Sequence, residues 1–177
     1  MTTTCELCDF DDVSQCRSCD LSGEPNPEAF SRTELVMSLV ASHRQVRVGV
    51  GVFVLTPKGY VLLMRQGSHG AGEWSLPGGH LEFSETVEEC ARREVLEEIG
   101  CELEGVVTIP YTSEDFFLEE GKHYITLYVM GITKDLPQIL EPHKASELTF
   151  FTQIKDLPSP LFVGTHHAAQ VLFGGCS

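Results

Sequence analysis

The chain has 177 residues, and its 26 acidic side chains against 12 lysines and arginines give a formal net charge of −14 at pH 7. This charge argues against a nucleic-acid-binding surface, which is normally basic, but it does not exclude an anionic substrate held by a metal ion and a few local cations. With 42% apolar residues and no apolar run near the roughly 20 residues of a membrane span, the composition is typical of a soluble globular protein.

The first residues, MTTTCELCDFDD, have neither the positive charges nor the apolar stretch of a secretory signal, and they are too acidic for a transit peptide. We therefore expect a cytoplasmic protein, and a nuclear pool is also compatible with the sequence. In these compartments the seven cysteines are expected as thiols or metal ligands rather than as disulfides.

Residues 1–44 differ in pattern from the rest, and we interpret them as an extension that precedes a domain over residues 45–177. The extension carries two CxxC pairs separated by seven residues: Cys5 and Cys8, then Cys16 and Cys19. Four thiolates suit a structural zinc ion, but the usual gap between such pairs is about 15–20 residues, so a zinc site and a metal-free tail both stay open. Asn26 and Pro27 then predict a helix over residues 28–42.

From residue 45 the apolar residues alternate along the chain, which predicts β-strands. The first strand, over residues 46–55, has valine at every second position and becomes apolar on both faces, as expected of a buried strand. A turn at 57–59 and a glycine-rich loop over 66–72 follow from glycine and proline. Further strands are predicted over 60–64, 102–110, 113–118, 123–133 and 147–152, and helices over 84–99 and 161–173. Strands on both sides of a central helix predict an α/β sandwich with a mixed sheet.

The central helix lies in the segment from Gly79 to Cys101. Ser84 is a good N-cap residue and Gly100 is a good residue for the C-terminal end, so we predict the helix between them. When the segment is projected at about 100° per residue, an apolar stripe forms on one side, as expected of a helix that packs on a core. The residues of this stripe are Val87, Cys90, Ala91, Val95 and Ile99.

Three glutamates of this helix break the amphipathic pattern. Glu94 and Glu98 project into the same arc as the apolar stripe, and Glu97 lies beside them. Each like-charged pair at this spacing costs roughly 0.2–0.5 kcal/mol on an exposed surface and more when it is partly buried. A divalent cation removes the conflict, whereas an ordinary solvated acidic helix would place these glutamates opposite the stripe. The pattern therefore favours a metal-binding helix.

The same segment follows the spacing G-x5-E-x7-R-E-U-x-E-E-x-G-U, in which U is a bulky aliphatic residue. Gly79, Glu85 and the run REVLEEIGC over residues 93–101 occupy the fixed positions, and Cys101 alone departs from the pattern. This spacing resembles the Nudix box. The resemblance implies the Nudix fold, an α/β/α sandwich around a mixed sheet, and hydrolysis of a phosphoanhydride bond with Mg²⁺ or Mn²⁺ as cofactor.

The resemblance also implies roles for the residues of the box. Glu94 and Glu98 are expected to bind the metal, and the carbonyl of Gly79 is expected as an additional ligand. Glu97 is either a third ligand or the base that aligns the attacking water, and the sequence leaves both open. Arg93 is expected to orient the carboxylates, so that the implied catalytic residues are Arg93, Glu94, Glu97 and Glu98.

Outside the box the resemblance extends over residues 46–165 to the eukaryotic nucleoside-triphosphate diphosphatase branch, through the segments RVGVGVFVL, GSHGAGEWSLPGGHLEFSE, GKHYITLYV, EPHK and SPLF. It implies cleavage of nucleoside triphosphates, including oxidised or modified ones, to the monophosphate and diphosphate. The implied substrate-binding residues are Arg65 and His80 near the phosphates, Thr126, Phe162 and Thr165 at the base, and Gly78. Homodimers are frequent in this branch and are expected here, without a nucleic-acid or membrane partner.

Several of these residues also have a purely structural explanation. Arg65 at a strand end is compatible with a surface charge, His80 with the capping of a turn, and Thr126 with a hydrogen bond to the backbone. Trp74 is more typical of a core than of a stacking platform. Two other functions also stay open: hydrolysis of a nucleotide sugar or dinucleotide, and nucleotide binding with little catalysis, in which the cysteine pairs recruit a partner through zinc.

Overall fold

The structure is a computed structural model that describes residues 45–67 and 70–174. The elements of this part of the chain are β1 (Val46–Thr56), β2 (Gly59–Arg65), β3 (Trp74–Ser75), β4 (Gly78–His80), α1 (Val87–Ile99), β5 (Glu104–Phe117), β6 (Lys122–Ile132), β7 (Ala145–Phe151) and α2 (Val163–Phe173). No helix among these residues has the length and apolarity needed to cross a membrane. The four cysteines of the CxxC pairs and the helix predicted over residues 28–42 lie outside the described residues and stay predictions.

The strands form one mixed sheet with the order β3-β2-β1-β6-β5. Strands β1 and β6 run parallel in continuous register from Val46 opposite His123 to Leu55 opposite Ile132. The other pairings are antiparallel, and β4 pairs with β1 while β7 pairs with β2 outside the main order. The predicted mixed sheet is confirmed.

Strand β1 supplies both hydrophobic cores. Its residues Val50, Val52 and Val54 are buried against α1, together with Val95 and Ile99 of the helix and other apolar side chains. Phe53, which points to the other face, packs in a second cluster that includes Ala168 and Ala169 of α2. One helix on each face of the sheet confirms the α/β/α sandwich, and the burial of β1 on both faces explains its nearly continuous apolar sequence.

Helix α1 begins at Val87 rather than next to Ser84, so the predicted N-cap is wrong. Thr86 is the N-cap, because its hydroxyl accepts a hydrogen bond from the Glu89 N–H at 3.2 Å while the Glu89 carboxylate accepts one from the Thr86 N–H at 2.8 Å. This reciprocal capping box satisfies two N–H groups that the first turn of a helix leaves unpaired. Ser84 instead adopts a left-handed backbone conformation, with φ of 67°, in the preceding turn.

The other end and the inner face of α1 agree with prediction. Gly100 adopts the left-handed conformation with φ of 67°, and its N–H bonds to the Leu96 carbonyl at 3.0 Å, which ends the helix. Cys101, the departure from the box, is fully buried in the core beside α1. The residues of the predicted stripe that are buried are Cys90, Ala91, Val95 and Ile99.

Strand β5 is one long strand where two were predicted. It runs from Glu104 to Phe117, and its register with β6 shifts between Thr108 and Thr112, which explains why the alternation is interrupted in the sequence. The two- and three-residue strands β3 and β4 were not predicted, because periodicity is not visible in so few residues. Trp74 of β3 lies in the core, in agreement with the structural interpretation.

Replacing Thr86 with alanine should lower the free energy of unfolding by about 1 kcal/mol, because the first turn of α1 loses its hydroxyl acceptor. Urea denaturation at pH 7 measures this difference. Thr86→Ser keeps the hydroxyl and should remain close to the wild type in the same experiment. Equal stability of Thr86→Ala and the wild type would show that Thr86 does not cap the helix.

Candidate active site

A cleft with a volume of about 300 Å³ collects residues from both helices and all seven strands of the sheet. It brings together most of the site residues predicted from the sequence, although these are spread over about a hundred positions of the chain. The predicted residues that line the cleft are Arg65, Gly78, Gly79, His80, Glu94, Glu98, Thr126, Phe162 and Thr165. Arg93 and Glu97 lie outside this lining.

The cleft is open on one face of β1 because glycine occupies positions 49 and 51 there. A side chain at Gly51 would overlap the ring of Tyr128 on the neighbouring strand β6, and one at Gly49 would occupy the space beside the Thr126 hydroxyl. The valines between and after these glycines face α1 instead. Strand β1 therefore anchors the helix with one face and leaves space for a ligand with the other.

Glu94 is a buried carboxylate of the site, with a relative exposure of 6%. Its carboxyl group lies directly against Gly79 of β4, so closely that any side chain at position 79 would overlap it. The glycine at the start of the box therefore allows the Glu94 carboxylate to approach the β4 backbone this closely. Arg93 contacts the same carboxylate at 2.7 Å, which supplies one balancing positive charge.

Glu98 lies one helical turn beyond Glu94 and is only partly exposed. Its carboxylate accepts a hydrogen bond from the Gly78 N–H at 2.9 Å. Burial, together with the negative charge of Glu94, raises the pKa of the Glu98 carboxyl to about 7, although the Gly78 N–H acts in the opposite direction. Gly78 itself has φ of 145°, a conformation that other residues rarely adopt. The structure thus holds two carboxylates against the adjacent glycines Gly78 and Gly79 of β4.

Arg93 connects the turn before α1 to the helix. Its guanidinium makes a bidentate ion pair with Glu85, at 2.8 and 3.0 Å, and also donates to the His80 carbonyl at 3.1 Å. The hydrogen bonds from Arg93 lower the pKa of the Glu85 carboxyl to about 2. Bidentate arginine pairs of this kind fix orientation as well as charge. Arg93 therefore holds the Glu94 carboxylate in place from behind the cleft.

The structure does not bring Glu97 into the cleft. Its side chain is 50% exposed, and its carboxylate reaches Arg93 only at 3.4 Å. An exposed ion pair at this distance contributes little to stability. The position of Glu97 therefore does not distinguish its two predicted roles, third metal ligand and base. Glu94 and Glu98 are the carboxylates of the REVLEEIG run that line the cleft.

Two cationic side chains line the cleft near the carboxylates. The Arg65 guanidinium lies 4.9 Å from the centre of the Phe162 ring, in a cation–π arrangement. Burial lowers the pKa of Arg65, while the charge of Glu98 acts in the opposite direction. Lys144, which pairs with Glu141 at 2.7 Å, also reaches the cleft. The sequence analysis assigned no role to Lys144, although it is the last residue of the EPHK segment.

Aromatic and polar side chains form the other end of the cleft. Phe162 stacks on Phe117 of β5, with their ring centres 5.9 Å apart and their planes at 22°. The ring of Tyr124 on β6 lies 6.1 Å from that of Phe117 and 5.5 Å from that of His80. Thr165 is buried, and its hydroxyl accepts a hydrogen bond from the Leu76 N–H at 3.3 Å. This end of the cleft is therefore suited to a flat, partly polar group such as a base.

The sequence analysis missed three polar residues at this end. Asp115 and Ser113 of β5 and Tyr128 of β6 are buried there, and Asp115 and Tyr128 line the cleft. The alternation of β5 places Ser113, Asp115 and Phe117 on one face, which is a signal that the sequence contains. The register of β5 against β6, which brings Ser113 opposite Thr126, was the missing information.

The donor set around α1 suits a hard divalent cation. Carboxylate oxygens are the ligands that Mg²⁺ prefers, and proteins usually hold this ion through one or two carboxylates plus substrate phosphates. Glu94 and Glu98 supply two such groups, and both line the same cleft. Within the described residues, no three His, Cys, Asp or Glu side chains are grouped closely enough to hold a metal ion.

Replacing Glu85 with glutamine should make stability less dependent on pH in the acidic range. The pKa of the Glu85 carboxyl is lowered in the folded chain from its usual 4.5 to about 2, so its stabilising effect is present above pH 4.5 and is lost as the pH falls toward 2. The stability difference between wild type and Glu85→Gln, measured by urea denaturation, should therefore shrink on acidification from pH 6 to pH 2.5. Glu88→Gln, which removes only the exposed pair with Arg92, is the control. A pH-independent difference would contradict the ion pair.

Comparison with known proteins matches residues 45–171 to the NUDIX domain family. Among curated proteins, the chain is similar to an oxidized purine nucleoside triphosphate hydrolase of Mus musculus, with 37% identity over 65 residues that cover 37% of this chain and 42% of that protein. It is also similar to the putative mutator protein MutT4 of Mycobacterium tuberculosis, with 33% identity over 108 residues, 56% of this chain and 40% of that protein. The chain thus spans less than half the length of these relatives.

Among solved structures, the chain is similar to a MutT NUDIX hydrolase from Burkholderia pseudomallei, with a TM-score of 0.67, 29% identity, and coverage of 72% of this chain and 98% of that one. A MutT protein from Methanosarcina mazei has the same fold, with a TM-score of 0.62 and 22% identity over 72% of this chain and 93% of that one. The family match covers most of the chain and coincides with the strands and helices that build the cleft. The chain therefore belongs to the Nudix hydrolase family.

Proposed function

We propose that this protein hydrolyses nucleoside triphosphates at a phosphoanhydride bond, with Mg²⁺ or Mn²⁺, to give the monophosphate and diphosphate. The observation that carries this proposal is the pair of carboxylates, Glu94 and Glu98, held against the two glycines of β4. Aromatic and polar side chains line another part of the same cleft. A phosphate chain and a base are the two parts of a ligand that these two regions of the cleft fit.

The carboxylates act by position and charge. Gly79 brings the backbone of β4 against Glu94, and the Gly78 N–H fixes Glu98, so both oxygens are arranged before a substrate binds. When bound, a divalent cation neutralises phosphate oxygens and makes a water molecule more acidic. Phosphoryl-group hydrolysis depends mainly on such positioning and charge stabilisation. Arg93 contributes by holding Glu94 rather than by touching the substrate.

The cations of the cleft are placed to bind the phosphates. Arg65 and Lys144 line it close enough to the carboxylates for their charges to interact with Glu98. Arginine and lysine are the usual partners of phosphate oxygens, and partial burial strengthens such contacts. His80, beside Gly79 on β4, adds a ring on the same side. These residues allow an acidic protein to bind a polyanion.

The choice of a nucleoside triphosphate as substrate has two supports. The part of the cleft near Phe117, Phe162 and Thr126 has the mixture of aromatic and polar groups that suits a nucleobase. In addition, the relatives from Mus musculus and Danio rerio are named oxidized purine nucleoside triphosphate hydrolases. Nucleotide sugars and dinucleotides are the alternative substrates, because they also contain a phosphoanhydride and a base.

Replacing Glu98 or Glu94 with glutamine should lower turnover of a deoxynucleoside triphosphate by roughly 100-fold or more, because each change removes a negative charge that binds the metal. Release of diphosphate from a panel of triphosphates with Mg²⁺ measures this, and circular dichroism checks that the fold is intact. Glu97→Gln should cost less than either change, since Glu97 lies outside the cleft lining.

Glu88→Gln is a matched control on the same helix, because Glu88 pairs with Arg92 on the exposed side. Its turnover should equal that of the wild type. The panel also contains a nucleotide sugar and a dinucleotide. If the wild type cleaves one of these and releases no diphosphate from any triphosphate, or if Glu98→Gln is as active as the wild type, the proposal is wrong.

A further inference from the structure

A chain of hydrogen bonds between buried side chains of β5 and β6 lies along the side of the cleft that Asp115 and Tyr128 line. The Ser113 hydroxyl donates to the Asp115 carboxylate at 2.7 Å, and the Tyr128 hydroxyl lies 3.0 Å from the Ser113 oxygen. Since Ser113 has one hydroxyl proton and gives it to Asp115, Tyr128 is the donor in the second bond. Burial raises the pKa of Tyr128 to about 12, so the phenol keeps its proton. The chain of donors therefore ends on the Asp115 carboxylate.

Two glycines leave the space that Ser113, Asp115 and Tyr128 occupy. A side chain at Gly164, in the first turn of α2, would overlap the Tyr128 hydroxyl and press against the Asp115 and Ser113 oxygens. Gly51 leaves the same kind of space beside the Tyr128 ring from β1. Two glycines on different elements therefore admit a polar cluster into an otherwise apolar layer.

Asp115 lies on a different strand of the sheet from the residues that contact the box carboxylates. Asp115 lies on β5, and β5 is separated from β1 by one strand, β6, in the sheet order. With about 4.8 Å between neighbouring strands, Asp115 is about 10 Å across the sheet from β1, where β4 holds the carboxylates of α1. Phe117, two residues further on the same face, stacks on Phe162 at this end of the cleft.

Among the described residues, Ser113 is the hydrogen-bond donor that reaches the Asp115 side chain. Asp115 is buried, with a relative exposure of 7% for the whole residue. A carboxylate has about four acceptor positions, and buried acceptors are costly unless they are hydrogen-bonded. A ligand with two neighbouring N–H donors would pair with both oxygens of the group, in the same way as a bidentate arginine.

Among the common nucleobases, guanine presents this pattern on its Watson–Crick edge, through N1–H and the 2-amino group. Adenine and cytosine present one donor beside an acceptor, and uracil and thymine present one donor between two carbonyls. We propose that Asp115 reads the Watson–Crick edge of a guanine-type base, which makes guanine nucleoside triphosphates the preferred substrates; this assignment rests on the proposed triphosphate hydrolysis. Ser113 and Tyr128 are positioning residues that hold the carboxylate.

The test compares kcat/KM for dGTP, dITP, dXTP and dATP in the wild type and in Asp115→Asn. Hypoxanthine lacks the 2-amino group, and xanthine carries a carbonyl at that position. A hydrogen bond to a charged group corresponds to roughly 10- to 100-fold, so the wild type should cleave dGTP faster than dITP by about this factor, and dXTP still more slowly. These ratios of kcat/KM are measured on the wild-type protein alone.

Asp115→Asn should reverse the preference. Its amide oxygen still accepts from N1–H, and its NH₂ group donates to the xanthine carbonyl but faces the guanine amino group. We expect kcat/KM to fall roughly 10- to 100-fold for dGTP and to rise for dXTP. A gain of activity cannot result from misfolding. Glu114→Gln, on the exposed face of the same strand, is the control and should keep the wild-type ratios.

The outcomes separate this inference from the function on which it rests. If the wild type hydrolyses triphosphates but treats dGTP, dITP and dATP alike, or if folded Asp115→Asn loses the same factor on every base without a gain on dXTP, the assignment of Asp115 is wrong and the proposed function stands. If the wild type hydrolyses none of the triphosphates, the proposed function fails and the assignment fails with it. A preference for dGTP in the wild type that changes to dXTP in Asp115→Asn would support both the proposed function and the assignment of Asp115.

Discussion

The site depends on two like-charged carboxylates that helix α1 holds one turn apart in a partly buried position. Glu94 and Glu98 repel each other, and burial adds to the cost of their charges. The fold tolerates this arrangement because Arg93 balances Glu94 and the Gly78 N–H bonds Glu98. Both carboxylates line the cleft, where a cation and a polyanion can bind together. The electrostatic repulsion between these two carboxylates is therefore the basis of the metal binding that we propose.

The rest of the fold serves to place this helix beside a ligand space. Strand β1 does both tasks, because its valines bury one face against α1 while Gly49 and Gly51 keep the other face open. The short strand β4 pairs with β1 and brings Gly79 under Glu94. Strands β6 and β5 extend the same surface toward the polar cluster around Asp115. The phosphate side and the base side of the cleft are thus joined by one sheet.

The sequence predicted the parts of the site that are local in the chain. The face of α1, the box glutamates and Gly79 follow from helical periodicity and fixed spacing within one segment. The Asp115 cluster was not predictable, because it requires the register between β5 and β6 and the small residue Gly164 from a distant helix. The start of α1 was mispredicted since Ser84 and Thr86 are both good caps, and the reciprocal bond with Glu89 selects Thr86.

The most direct test of the account is the binding of Mn²⁺ in the presence of a non-hydrolysable triphosphate analogue, measured from the electron paramagnetic resonance signal of free Mn²⁺. If the buried pair on α1 holds the cation, Glu94→Gln and Glu98→Gln should each weaken binding by about tenfold or more, while Glu88→Gln leaves it unchanged. Wild-type affinity in both folded variants would contradict the account, because the carboxylates would then have no cation to hold.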